Sequence, residues 1–407
     1  MKDISGGVCA PKGFKAGGIW CGIKASSKKR DLALIYSEKP CVAAAMFTTN
    51  RVKAASVLVS RDHLADGKCQ AIIANSGNAN ACTGEAGLAA ARRMAALAAD
   101  EFALKADNVA VASTGVIGVP FPIAAVESSI GALASSIRGD AAGHEAALEA
   151  IMTTDTRKKA ASVELEIGGK PVRIGGMTKG SGMIHPNMAT MLCFVTTDAA
   201  ISRELLDRAL RAAVKHSFNR VTVDGDTSTN DTILVMANGE AANAPINAEG
   251  ADYQLFAEAL EDVCIKLARA MARDGEGATR LVTVSVRGAK DEGTAEVLAK
   301  SIASSSLVKA ACFGADANFG RILCAMGYSG ADFDPDRTDV SFAGAQGSVL
   351  VYEQGKPVAF SEEEAKKILL EEEIEINVKL SGGAGSATVW GCDLTYDYVK
   401  INGDYRS

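Results

Sequence analysis

The chain has 407 residues, 48% of them hydrophobic and 23% charged, with a formal net charge of −6. That length supports two or three domains and a large core, and the acidic balance argues against broad nucleic-acid or membrane-surface binding. No apolar run reaches the roughly 18 residues a membrane helix needs, and the N-terminal stretch MKDISGGVCAPKGFKAGG lacks an apolar signal core, so a soluble cytoplasmic protein is the expectation.

Short apolar runs ending in turn residues predict strands at 31–37, 41–49, 55–60 and 70–76. A helix follows at 84–100, where GEAGLAAARRMAALAAD offers small residues for close packing. NVAVAS (108–113) reads as another strand. SVELEIGGKPVRIGG (162–176) alternates polar with apolar and turns at Gly168-Gly169, which predicts a hairpin. In 201–218, Leu206, Leu210, Ala213 and Val214 share a helical face behind Ser202 as N-cap. The segment 251–272 repeats that pattern with Leu255, Ala259, Leu260, Val263 and Leu267. Ser361 and Glu364 form a capping box ahead of another helix, and strands at 373–380, 386–394 and 396–401 close the chain. This mixed order predicts a layered α/β protein of the α+β kind. Neither a linker nor a repeat marks off domains.

Ten cysteines are scattered without a CxxC pair, and several lie in apolar runs, so they read as buried free thiols. The four histidines form no zinc pattern, and no metal site is expected. Each GK dipeptide is followed by Cys or Pro, which removes a P-loop. GxGxxG after a strand and the GxSxG elbow are also missing.

The stretch KGSGMIHPNMATML (179–192) approaches Thr190 through two glycines and a proline. One reading is a turn feeding a buried strand. The other is a nucleophile released by cutting the Ala189–Thr190 bond. A threonine hydroxyl needs a neighbouring base, and His185 is separated from it by the stiff Pro186. After a cut, Thr190 would carry an α-amino group with a pKa of about 7.7–8.0, held beside its own hydroxyl.

KGSGMIHPNMATML resembles the cleavage region of the ornithine acetyltransferase, or ArgJ, family. The likeness continues, in order, at APKGFKAGGIWCGIK (10–24), FTTNRVKAASV (47–57), ANSGNANACTG (74–84), STGVIGVP (113–120), TTDTRKK (153–159), VDGDTSTNDT (223–232), DGEGAT (274–279) and INGDYRS (401–407). The resemblance implies a DmpA/ArgJ-like layered α/β sandwich that cuts itself into an α chain, 1–189, and a β chain, 190–407, the latter including a smaller C-terminal α/β region. Two of each chain would assemble. It implies acetyl transfer from N²-acetyl-L-ornithine to L-glutamate through acetyl-Thr190, with acetyl-CoA as a further donor in some members and no bound cofactor.

The same likeness puts the oxyanion hole at Thr114 and Gly115, and substrate binding at Thr153, Lys179, Thr190, Glu276, Asn402 and Ser407. Charge suits Lys179 to a substrate carboxylate and Glu276 to an ammonium. Ser407 stands where the family more often has threonine, and Trp20 where it more often has a smaller residue. A DmpA-like aminopeptidase or amidohydrolase using the same nucleophile is the alternative enzyme, and an uncleaved binding protein is the alternative of another class.

Overall fold

β-branched runs in the first 240 residues assemble a nine-stranded sheet, and a second set after residue 280 forms a six-stranded one. The computed structural model describes residues 1–185 and 191–404. The larger sheet contains β1 (Lys2–Asp3), β2 (Phe14–Ile19), β3 (Leu32–Phe47), β4 (Lys68–Asn78), β5 (Val109–Val116), β6 (Lys159–Ile167), β7 (Lys170–Lys179), β8 (Leu192–Thr197) and β9 (Thr232–Ala237). Their order is β1-β6-β7-β8-β9-β3-β4-β5, with β2 added on β3. The smaller sheet runs β13-β12-β11-β14-β10-β15, from β10 (Leu281–Ala289), β11 (Asp339–Gly344), β12 (Gly347–Glu353), β13 (Lys356–Pro357), β14 (Glu373–Lys379) and β15 (Gly385–Cys392). The α/β class expected from the sequence is the class observed.

Side-chain alternation along the strands assigns the helices to faces. Leu32 and Leu34 of β3 pack with α1 (Ala55–His63), α2 (Gly84–Glu101) and α3 (Ile123–Ser136). Ala33 and Ile35, one residue out of phase, pack with α4 (Ala141–Ile151). Cys193 and Val195 of β8 meet α5 (Arg203–His216) and α6 (Ala251–Arg273), whereas Leu192 and Phe194 turn to the α4 side. β8 is thus buried on both faces, and its six residues are all buried. The smaller sheet packs on α7 (Glu292–Ser304), α9 (Phe319–Gly327) and α10 (Glu362–Leu369), with α8 (Ser306–Phe313) alongside and α11 (Tyr396–Asp404) near the end of the chain.

The hairpin turns at Gly168-Gly169 as expected, and Ser202 caps α5 by accepting from Leu205 N at 3.4 Å. Ser361 likewise accepts from Glu364 N at 3.2 Å.

Three expectations need correction. The strands at 31–37 and 41–49 are one strand, β3, whose pairing to β4 shifts register between Tyr36 and Cys41. Residues 55–60 are helix α1: Ser60 must lie on the buried face with Ser56, because its hydroxyl donates to Val111 O at 2.6 Å and accepts from Val111 N at 2.7 Å. The valines favour a strand locally, and this docking overrides them. Residues 396–401 belong to helix α11; at its start Tyr398 N donates to Thr395 Oγ1 at 3.4 Å, and the Asn402 side chain folds back on the helix to donate from Nδ2 to Tyr398 O at 3.0 Å. Its short alternating run fits either period. Of the cysteines, seven are buried, Cys21 is intermediate, and Cys82 and Cys324 are exposed.

Candidate active site

The ends of β5 and β7 meet at one rim of the larger sheet. Lys179, the last residue of β7, is 8% exposed and donates from Nζ to Thr114 Oγ1 at 3.1 Å. Burial pulls its pKa down, and the Asp155 carboxylate opposes that shift. Gly115 follows Thr114 with φ 134°, and a Cβ there would sit 2.3 Å from the Gly77 carbonyl carbon. Glycine is what lets β4 and β5 close on each other at this point.

A buried ion cluster lies behind the lysine. Lys159 Nζ stands 2.6 Å from Asp155 Oδ1 and 2.5 Å from Asp274 Oδ2, with all three side chains at most 2% exposed. Asp155 also accepts from Gly180 N at 2.7 Å and Thr153 N at 3.0 Å. Burial pushes the Asp155 carboxyl up, but Lys159 and Lys179 prevail and hold it well below the usual carboxylate range. Asp274 accepts from the Thr156 and Arg157 amides at 3.1 and 3.2 Å. One cluster therefore links the loop carrying Thr153, the end of β7 and the end of α6.

Glu276 lies just beyond α6. Its amide donates to Ser181 O at 2.9 Å, and its Oε2 accepts from Asn402 Nδ2 at 2.8 Å. A Cβ on Gly182 would meet Glu276 Oε2 at 2.2 Å, so the second glycine of KGSG makes room for that carboxylate. Beside the rim is a cavity of about 670 Å³ whose wall includes Lys24, Gly77, Asn78, Val116, Thr153 and Thr154. Trp20 is 45% exposed and donates to the carbonyl of the lining residue Lys24 at 3.5 Å.

Thr114 and Lys179 touch, Thr153 joins them through Asp155, and Glu276 with Asn402 forms a neighbouring pair. Ala189, Thr190 and Ser407 lie outside the described residues. Both described ends of the link from β7 to β8 are held by aspartates. Asp224 accepts from Met183 N at 2.6 Å and Ile184 N at 2.8 Å. Asp231 accepts from Met191 N at 2.7 Å. Asn230 ties the start of β9 to the site by donating to Ala79 O at 2.6 Å and Ser113 O at 2.8 Å. Sequence reasoning assigned no role to Asp155, Lys159, Asp224, Asn230, Asp231 or Asp274. The density of Asp and Asn in VDGDTSTNDT was the available signal.

A lysine amine buried against a threonine hydroxyl, backed by further buried charge and near a cavity, is the kind of arrangement that α/β enzymes use as a site. The ArgJ family profile matches residues 15–407. The arginine biosynthesis bifunctional protein ArgJ of Symbiobacterium thermophilum is 53% identical over 408 residues, covering 100% of both chains. That of Listeria monocytogenes serotype 4b is 48% identical over 408 residues, again covering 100% of both. A crystal structure of the same-named protein from Bacillus halodurans has 49% identity and a TM-score of 0.51, covering 53% of this chain and 100% of that one. The chain belongs to the ArgJ family.

Proposed function

We infer that this chain is an acyltransferase of arginine biosynthesis, moving acetyl from N²-acetyl-L-ornithine to L-glutamate. The observation that carries the inference is full-length similarity to proteins bearing the ArgJ name, at 53% identity. The site geometry is compatible with acyl transfer. Lys179 gives Thr114 Oγ1 its hydrogen bond, so the Thr114 proton is left for an oxyanion.

The proposed chemistry begins with hydrolysis of the Ala189–Thr190 bond, in which one water is consumed, Ala189 is left as a carboxylate and Thr190 gains a free α-amino group. Thr190 Oγ then attacks the acetyl carbonyl carbon while its α-amino group takes the hydroxyl proton. A C–O bond forms and the carbonyl π pair moves to oxygen, facing Thr114 and Gly115. Collapse breaks the C–N bond, and the ammonium of Thr190 gives its proton to the departing ornithine nitrogen. Glutamate's α-amino group attacks the acetyl ester and a C–N bond forms; the proton its nitrogen sheds passes to the Thr190 amine and on to Thr190 Oγ as the C–O bond breaks. Acetyl-CoA is proposed as a second donor, with its thiol as leaving group. Thr153, Lys179, Glu276, Asn402 and Ser407 are proposed to hold substrate, with no resident cofactor or metal.

The sheet order supports a cut that leaves the enzyme whole. β8 and β9 follow the proposed break, yet β8 pairs with β7 and β9 with β3, both of which precede it. Ladder bonds on two sides would hold the pieces together. The Bacillus halodurans chain, matched along its full length by 53% of this one, is of the size expected for 190–407. Two copies of each piece are the proposed assembly, in the cytoplasm; no described helix is long and apolar enough to cross a membrane.

Incubation with acetylornithine, with and without glutamate, tests the reading. Acetylglutamate should appear in step with ornithine. Ornithine release that ignores glutamate, with no acetylglutamate formed, would make the protein a hydrolase.

A further inference from the structure

The two aspartates that hold the link from β7 to β8 are not equivalent. Asp224 uses both oxygens: Oδ1 accepts from Ile184 N at 2.8 Å, and Oδ2 accepts from Met183 N at 2.6 Å and the Tyr398 hydroxyl at 3.2 Å. Asp231 uses one. Its Oδ1 accepts from Met191 N at 2.7 Å, while its Oδ2 is buried with no hydrogen-bond partner among the described residues, in a residue only 2% exposed. Leaving such an oxygen without a donor is unfavourable, so its isolation needs a reason.

Among the described residues one hydroxyl comes near. Thr48, just past the end of β3, bears on the Asp231 carboxyl, but its proton goes to Ser228 O at 2.7 Å. Lys179, on β7, is the charge that bears on Asp231, and its ammonium is turned to Thr114. Burial pushes the Asp231 carboxyl well above the usual range, with the Met191 amide, Lys179 and the Thr48 hydroxyl working against that. A carboxyl so placed ionises readily only when a further donor arrives.

Chain connectivity identifies that donor. Met191 N is bonded to the carbonyl carbon of Thr190, and the nitrogens of successive residues lie only about 3–3.6 Å apart. A carboxylate that grips the first of these nitrogens is within reach of the second. We propose that Asp231 is the positioning residue for the Thr190 α-amino group, with Oδ1 fixing the Met191 amide and Oδ2 accepting an N–H of the amine that cleavage creates. The proposal rests on the reading that the chain is cut before Thr190.

The role follows from the charges. When the amine takes the Thr190 Oγ proton it becomes an ammonium, and a carboxylate against it favours that form. The ammonium then hands the proton to the departing ornithine nitrogen. Asp231 neither gains nor loses a proton in the step. Nucleophile, base and orienting group are then Thr190 Oγ, Thr190 N and Asp231.

Asp231→Asn tests this, because it keeps the volume and an acceptor for Met191 N–H but removes the charge. On purified, cut enzyme, kcat should fall about 10²-fold with KM little changed. The acidic limb of the kcat/KM profile should move to lower pH, since a neutral amide no longer favours the ammonium. Asp231→Glu should return that limb toward the wild-type position. A cut Asn variant whose acidic limb has not moved overturns the proposal, even if it is slow, since a packing defect alone lowers rate without moving the limb. Should the Asn variant fail to cut itself, a crystal structure of the cut wild type decides. Thr190 N within about 3.2 Å of Asp231 Oδ2 supports the proposal, and a separation beyond about 4 Å overturns it. An active wild-type chain that is never cut overturns the cleavage reading and this inference together, whereas a cut wild type with an unmoved variant limb overturns this inference alone.

Discussion

Lys159→Met tests whether the buried ion cluster holds the site together. Lys159 is the cation between Asp155 and Asp274, at 2.6 and 2.5 Å, and its side chain is 1% exposed. Methionine fills much of the same space but leaves two carboxylates facing each other out of water. Breaking a buried pair by removing one partner costs about 3–5 kcal/mol. Both aspartates keep backbone donors, from Thr153 and Gly180 on one side and Thr156 and Arg157 on the other, which keeps the loss inside that range. With an unfolding entropy of about 2.1 cal/mol/K per residue, a chain this long should lose roughly 4–6 °C in Tm.

The loss should depend on pH. In the wild type Asp155 is held below its ordinary pKa, so its contribution is full above the unfolded value, about 3.9, and is lost as pH falls through the lower folded one. In the variant Asp155 loses the Lys159 charge that holds its pKa down, so it protonates at higher pH, which relieves its burial. The gap in Tm between wild type and variant should therefore narrow from pH 7.5 to about pH 5. Scanning calorimetry at both values measures it. A variant within about 1 °C of wild type at pH 7.5, or a gap that widens in acid, refutes the reasoning.

Lys179→Met should lower kcat by about 10²-fold or more, because Thr114 loses the donor that directs its own proton toward an oxyanion; steady-state kinetics measure it. Gly182→Ala places a Cβ 2.2 Å from Glu276 Oε2, so the carboxylate must move, and KM for acetylornithine should rise more than kcat falls. His144 is buried, its Nδ1 accepts from Val8 N at 3.4 Å and its Nε2 has no partner among the described residues; burial lowers its pKa from 6.5 to about 4. The folded state then binds this proton less readily than the unfolded chain does. Stability from neutral His144 is full above about pH 6.5 and is lost between there and 4, a span of about 3 kcal/mol. His144→Leu should flatten that part of a stability–pH curve.

The fold was legible where local pattern and tertiary demand agree. The 162–176 alternation became the β6–β7 hairpin, and the amphipathic face behind Ser202 became α5. At 55–60 they disagree: valines that favour a strand sit in a helix because Ser60 must reach the backbone of Val111. Among the candidate residues, Thr114, Lys179, Thr153 and Glu276 were assigned through family likeness, whereas charge alone reads Lys179 as solvated surface and the structure buries it. Lys159 was hidden for the same reason. In TTDTRKK it looks like any exposed cation, and only the fold brings Asp274, 115 residues away in sequence, against it. Asp224 and Asp231 stood in a quoted motif, but nothing local told which of them would have an oxygen to spare.

The central claim is that breaking the chain before Thr190 makes the base that the threonine hydroxyl lacks. Mass analysis of active enzyme given acetylornithine without glutamate tests it most directly. Two polypeptides should be seen, of 189 and 218 residues, the second beginning at Thr190 and carrying one added acetyl group on that residue. Full turnover by a single unbroken 407-residue chain, or an acetyl group trapped on a different residue, would contradict the account.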